Sequence, residues 1–176
     1  IYGSAITKSP ETPELILKLS NLLDYILYQT KKSLVPLQDE IDHLKDYIAL
    51  EKLRHGKRLS VISSFPEDTN QFMIVPMLFL PLLENSFKHG KSQGQDAFVE
   101  LKIDIQDNEI AFSLKNSFEE STAQNQLTSS GIGLPNIKKR LQLLYPNSHT
   151  FTINKAGGYF EVELKLSSIQ PQTKVL

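Results

Sequence analysis

Leu83-Glu84-Asn85-Ser86-Phe87-Lys88-His89-Gly90 is the stretch on which the reading of this chain turns. It closes a run from Val75 to Leu83 that is apolar almost all round, which predicts a buried helix. The last turn switches at once to Glu84, Asn85, Lys88 and His89. Asn85, Lys88 and His89 stand at i, i+3 and i+4 and so share one face. A side-chain amide beside two potential cations suits a metal-bound polyphosphate. The amide oxygen is a hard ligand for Mg²⁺, and the basic groups can face phosphate oxygens. The same residues also suit a helix that merely surfaces into a loop, its basic last turn favoured by the helix dipole.

A second signal lies further on, at Ser129-Ser130-Gly131-Ile132-Gly133-Leu134-Pro135-Asn136. Two glycines follow a polar stretch and open an amphipathic helix. That arrangement aims backbone N–H groups and the positive end of a dipole at an anion. Alone, it equally describes a helix entry that needs unusual dihedrals. Lys138, Lys139 and Arg140 follow on or near the polar face, where a solvated role is the simplest for at least two of them.

Composition narrows the classes. The chain has 176 residues, 40% hydrophobic and 22% charged, enough for a real core. Net charge is -1, which disfavours a bulk nucleic-acid or membrane-surface binder. Without cysteine, disulfides and thiolate metal sites are excluded. No apolar run reaches the roughly 18 residues of a spanning helix. Ile1-Tyr2-Gly3-Ser4 has neither a starting methionine nor a signal peptide, so the chain is expected to be a piece of a longer protein.

Working outward, Thr12-Pro13-Glu14 predicts a helix start with a threonine N-cap, and the helix runs to about Gln29. Leu15, Leu19, Leu22, Leu23 and Ile26 form its apolar face. Pro36 opens a second helix with Leu37, Ile41, Leu44 and Ile48 inward and Asp39, Glu40, Asp42, Lys45 and Asp46 on the other face, ending near Arg54-His55-Gly56. Both stripes predict a helical hairpin or dimerisation element. Leu59 to Phe65 alternates as a strand. Val99 to Ile105, the turn Asp107-Asn108, and Ile110 to Leu114 read as a hairpin. Residues 119–130 lack periodicity and read as a mobile loop. A helix from Leu134 is stopped by Pro146-Asn147, and Gly157-Gly158 joins two last strands. The order after Gly56 predicts an α+β sandwich, a mostly antiparallel sheet covered by helices on one face.

In this order the two signals resemble the ATP-binding module of the GHKL superfamily, and more narrowly the LytS-type sensor histidine kinases. Pro81 to Gly90, with Val75-Pro76 before it, matches that family's N box. Gly131 to Leu141 matches its second glycine box. Lys18 to Tyr25, Leu37 to Ile41 and Tyr47 to Arg54 fit its N-terminal region. The resemblance implies a Bergerat-type two-layer fold over residues 56–168, a partial dimerisation and phosphotransfer region over 1–55, and a tail over 169–176. It implies ATP bound by Glu84, Asn85, Lys88, His89, Asn116, Gly131, Ile132, Gly133 and Leu134, with Mg²⁺ on Asn85 and residues 119–130 as the ATP lid. The γ-phosphoryl would pass to a histidine and on to a cytoplasmic response regulator. The chain would dimerise through its N-terminal helices, with its parent anchored in the bacterial inner membrane.

Two departures stand out. The family's acceptor motif, of the type P-H-F-L-F-N, is absent, which implies an acceptor upstream of Ile1 and no catalytic histidine here. The first glycine box, D-x-G-x-G, is replaced by Lys115-Asn116-Ser117-Phe118-Glu119. Asn116 stands where an aspartate would accept from the adenine amino group. That loss also suits a degenerate nucleotide-binding or scaffold module, which signals through dimer geometry without phosphotransfer. A GHKL ATPase is a third reading, but the helices before Gly56 fit a kinase better.

Overall fold

The computed structural model describes residues 12–28, 32–69, 71–89, 97–118 and 133–167. Helix α1, Thr12–Tyr28, and helix α2, Leu37–His55, form an antiparallel hairpin, with Lys18 paired to Asp46 at 2.9 Å. Pro36 precedes α2 and Gly56 ends it at φ +58°, a left-handed conformation that glycine adopts without cost. The Thr12 hydroxyl is buried and caps nothing among the described residues.

Strands β2 (Leu59–Ser64), β4 (Ala97–Gln106), β5 (Glu109–Ser117), β7 (Tyr159–Ser167) and β6 (His149–Ala156) form one sheet in the order β2-β4-β5-β7-β6. Only β2 runs parallel to its neighbour. The hairpin turn at Asp107-Asn108 takes φ of +48° and +69°, the pattern that matches strand twist. A short ladder, β1 (Val35–Pro36) with β3 (Met73–Ile74), was not foreseen from the sequence. The helices α3 (Leu80–His89) and α4 (Gly133–Leu144) complete the α+β architecture.

Alternation explains the core. Ile110, Phe112 and Leu114 of β5, Phe160, Val162, Leu164 and Leu166 of β7, and Val99, Leu101 and Ile103 of β4 are buried. They meet Leu82, Leu83 and Phe87 of α3 and Ile137 and Leu141 of α4. Each such side chain contributes about 1.5–3 kcal/mol by leaving water. Leu37, Ile41, Leu44 and Ile48 join this same cluster, so the chain itself covers the α2 stripe that the sequence reading left for a dimer partner. On α1 the buried face is Leu15, Leu22 and Tyr25. Leu19, Leu23 and Ile26 remain 36%, 49% and 38% exposed.

One predicted boundary fails. The helix read from Val75 begins instead at Leu80, and residues 75–79 form an irregular turn with Met77 at φ +59°. The helix starts where the Phe79 carbonyl accepts from Leu82 N–H at 3.0 Å and Leu83 N–H at 3.1 Å. Pro81 sits in this first turn, where no N–H is required, and Pro76 biases Val75 away from helix.

Candidate nucleotide site

Helix α3 is amphipathic in a particular way. Leu82, Leu83, Ser86 and Phe87 face the core, while Glu84 and Lys88 are exposed and Asn85 is half-buried at the margin. Ser86 donates its hydroxyl to the Leu83 carbonyl at 2.7 Å, so a polar residue on the buried face is satisfied within its own helix. His89 is the last residue of α3. Helices α3 and α4 lie against each other and over the sheet.

On the sheet, Asn116 continues the inward row of Ile110, Phe112 and Leu114 and is 1% exposed. It is the polar member of an otherwise apolar row. Its Nδ2 donates to the Ser117 carbonyl at 2.8 Å, which fixes the amide plane. Its Oδ1 is buried and has no partner among the described residues. A buried acceptor left open costs about 1–3 kcal/mol, and a ligand amino group would recover that cost. The residue therefore fits the base-reading role.

Gly133 is the first residue of α4 and is exposed. A Cβ added there would meet nothing within 4 Å, and its φ lies outside the left-handed range. Neither packing nor dihedral strain in this chain demands glycine at 133, which removes that simpler explanation for the residue. Leu134 is half-buried and packs on the core. Gly131, Ile132 and the loop 119–130 lie outside the described residues. Of the basic trio, Lys138 and Lys139 are exposed. Arg140 folds back onto α3's approach, donating to the carbonyls of Met77 at 2.9 Å and Pro76 at 2.5 Å.

The residue the sequence reading missed is Glu40. It was placed on the polar face of α2, yet it is 1% exposed. Its carboxylate accepts from the Met77 N–H at 2.6 Å, the Leu78 N–H at 3.3 Å, the Phe79 N–H at 3.4 Å, and the Tyr25 hydroxyl. Burial pushes its acid up to about 7, against the pull of those backbone donors and of Arg140. Tyr145 accepts the Val75 N–H at 3.0 Å, and burial raises its own hydroxyl. Position 40 falls three residues after Leu37 and four before Leu44. Helical spacing alone thus puts an acid beside the apolar stripe, and that was a readable sign.

Among the described residues no group of three His, Cys, Asp or Glu side chains could hold a metal. A divalent ion at Asn85 would draw its other ligands from phosphate and water, the usual habit of Mg²⁺.

A model of the histidine kinase family matches residues 1–59. Sensor histidine kinase YpdA of Escherichia coli is 30% identical over 155 residues, 81% of this chain and 27% of that protein. Sensor protein LytS of Oceanobacillus iheyensis is 29% identical over 140 residues, 72% of this chain and 24% of that protein. The chain thus spans about a quarter of the length of these relatives. Among solved structures, the histidine kinase domain of the blue-light activated kinase from Erythrobacter litoralis aligns with a TM-score of 0.59 at 14% identity, covering 86% of this chain and 75% of that one. Histidine kinase ThkA, solved in complex with response regulator TrrA, aligns with a TM-score of 0.54 at 12% identity, over 96% of this chain and 51% of that one. At such identities the structural likeness concerns the fold.

Proposed function

From the premise that this chain is a homologue of the sensor histidine kinases and has the fold of their catalytic domains, we propose that residues 56–168 bind ATP with Mg²⁺. They would serve transfer of the γ-phosphoryl to a histidine outside this chain. The observation that carries the reading is the open Asn116 Oδ1 in an apolar row, facing the layer that holds the α3 and α4 motifs.

Each residue then has a defined task. Asn116 accepts from the adenine amino group. Asn85 offers its amide oxygen to the metal, with Glu84 beside it. Lys88 and His89 neutralise phosphate charge. Gly131, Ile132, Gly133 and Leu134 give backbone N–H groups and a helix N-terminus to the polyphosphate. Bound Mg²⁺ supplies charge neutralisation across the phosphate oxygens. The protein's share is to hold the γ-phosphorus in line with an acceptor imidazole, whose nitrogen forms the new P–N bond as ADP departs.

Residues 1–55 act as a partial dimerisation and phosphotransfer region, and 169–176 as a tail. Self-association runs through α1, where Ile16, Leu17, Leu23 and Leu27 are 52%, 60%, 49% and 58% exposed. The receiver is a cytoplasmic response regulator, as ThkA is seen with TrrA. The parent is a membrane-anchored sensor that keeps this region in the cytoplasm; among the described residues no helix is long and apolar enough to cross a membrane.

A second reading, a nucleotide-binding scaffold without transfer, draws on Asn116 standing in place of an acid. The two part in a transfer assay with γ-labelled ATP. The chain alone should take up no acid-labile label at His43, His55 or His149, and should label an added polypeptide that carries the parent's acceptor histidine. ATP binding without any transfer to that polypeptide would favour the scaffold.

A further inference from the structure

Turn 76–79 is held from two sides by side chains that the ATP-binding reading does not use. On one side Glu40 of α2 takes the N–H groups of Met77, Leu78 and Phe79. On the other, Arg140 of α4 takes the carbonyls of Pro76 and Met77. Those N–H groups lie in the turn that leads into α3, ahead of its first residue Leu80. Met77 at φ +59° is a conformation that a bulky side chain holds only when its surroundings compel it. Phe79 stacks on Phe112 of β5 with ring centroids 4.7 Å apart, so the turn is also pinned to the sheet. Asn85 lies six residues beyond Phe79, on the helix that follows the turn directly.

We propose that Glu40 is a positioning residue of the nucleotide site: with Arg140 it brackets turn 76–79 and so sets where α3 presents Asn85 to the metal. The proposal rests on the nucleotide-binding reading. It has a geometric corollary. The Glu40 oxygen that accepts from Met77 N–H also accepts from the Tyr25 hydroxyl of α1. The first helix therefore touches the same bracket.

Glu40→Gln keeps the size but turns one acceptor oxygen into an NH₂ that must oppose backbone N–H donors. Arg140→Lys keeps the charge but loses the fork that spans two carbonyls. Ile48→Ala, on the same helix away from the turn, serves as a control for simple destabilisation. Each full chain is titrated calorimetrically with ATP in Mg²⁺ and with ATP in EDTA, and its amide exchange is followed. Glu40→Gln should weaken Mg–ATP binding about tenfold, the loss of one hydrogen bond to a charged group, and leave Mg-free affinity unchanged. Its α3 amides should exchange faster while those of β5 and β7 do not. Ile48→Ala should show no such split. Wild-type Mg–ATP affinity in folded Glu40→Gln, or equal losses with and without Mg²⁺, would overturn the proposal. If Glu40→Gln does not fold, Arg140→Lys decides by the same split, a smaller loss supporting the bracket and wild-type behaviour overturning it. A wild-type chain that binds no nucleotide removes the nucleotide reading and the bracket together, whereas failure confined to the variants removes only the bracket.

Discussion

At residue scale, Asn116 and Glu40 show opposite relations between burial and partners. Asn116 has a buried acceptor without a partner among the described residues, and its open atom points to a ligand. Asn116→Asp should tighten ATP binding about tenfold, because a charge-assisted bond is worth about 1–2 kcal/mol more than a neutral one. The gain should be specific to ATP, since guanine presents a carbonyl at that position. It should also lower the melting temperature, because the acid loses the donor that now meets the Ser117 carbonyl. Titration with ATP and GTP, alongside a thermal melt, checks all three. Glu40 has two donors on each carboxylate oxygen, yet its acid is raised to about 7 because desolvation outweighs them. Tyr25, Arg140 and Tyr145 face it from α1, α4 and the residue after α4. A folded value above the usual one means that the folded chain binds the proton more tightly. Its stability contribution is therefore present below about pH 4.5 and is lost as pH rises through about 7. Denaturant melts across that window should show a decline on the order of 3 kcal/mol from this group, which Glu40→Gln should flatten. An unchanged slope in the variant would assign the decline elsewhere. Asn116 became a candidate site residue only through the family resemblance. Glu40 was missed because an acid on a helix is assigned to solvent by default.

At element scale, strands were the most legible parts. In β4, β5 and β7 every second residue is apolar, and each such residue from Val99 to Ile103, Ile110 to Leu114 and Phe160 to Leu166 is buried. The Asp107-Asn108 and Gly157-Gly158 turns fell where their residues allow positive φ. Helix α3 was harder, because an apolar run carries no period that separates a helix from an irregular buried turn. The irregular turn before its start is bonded to Glu40, 40 positions before Leu80 in the chain, which local reading cannot weigh. The α2 stripe misled for the reverse reason: its spacing was right, but its partner is the chain's own core. Of the two N-terminal helices, α1 is then the one with several exposed large apolar groups, Ile16, Leu17, Leu23 and Leu27 among them. Introducing Leu23→Glu and Leu27→Glu should abolish concentration-dependent self-association in sedimentation while leaving the sheet's melting unchanged. A wild-type chain that stays monomeric at high concentration would contradict self-association through α1.

At the scale of the whole molecule, a sheet lays down an apolar floor with one open amide, and two helices roof it. One helix carries Asn85 and Lys88, the other begins at Gly133. The turn between Pro76 and Phe79 joins that roof to the N-terminal hairpin through Glu40 and to α4 through Arg140. Overall architecture was legible because the order of elements constrains it. The joint was not, since it depends on contacts between residues far apart in sequence. The claim on which everything else stands is that Asn85 holds the metal of a bound Mg–ATP. Calorimetric titration of the wild-type chain and Asn85→Ala, each with ATP in Mg²⁺ and in EDTA, tests it most directly. Wild type should bind more tightly with Mg²⁺ than without, and Asn85→Ala, with its fold and melting temperature retained, should lose that difference while keeping the Mg-free affinity. Equal Mg–ATP affinity in the two proteins would contradict the account.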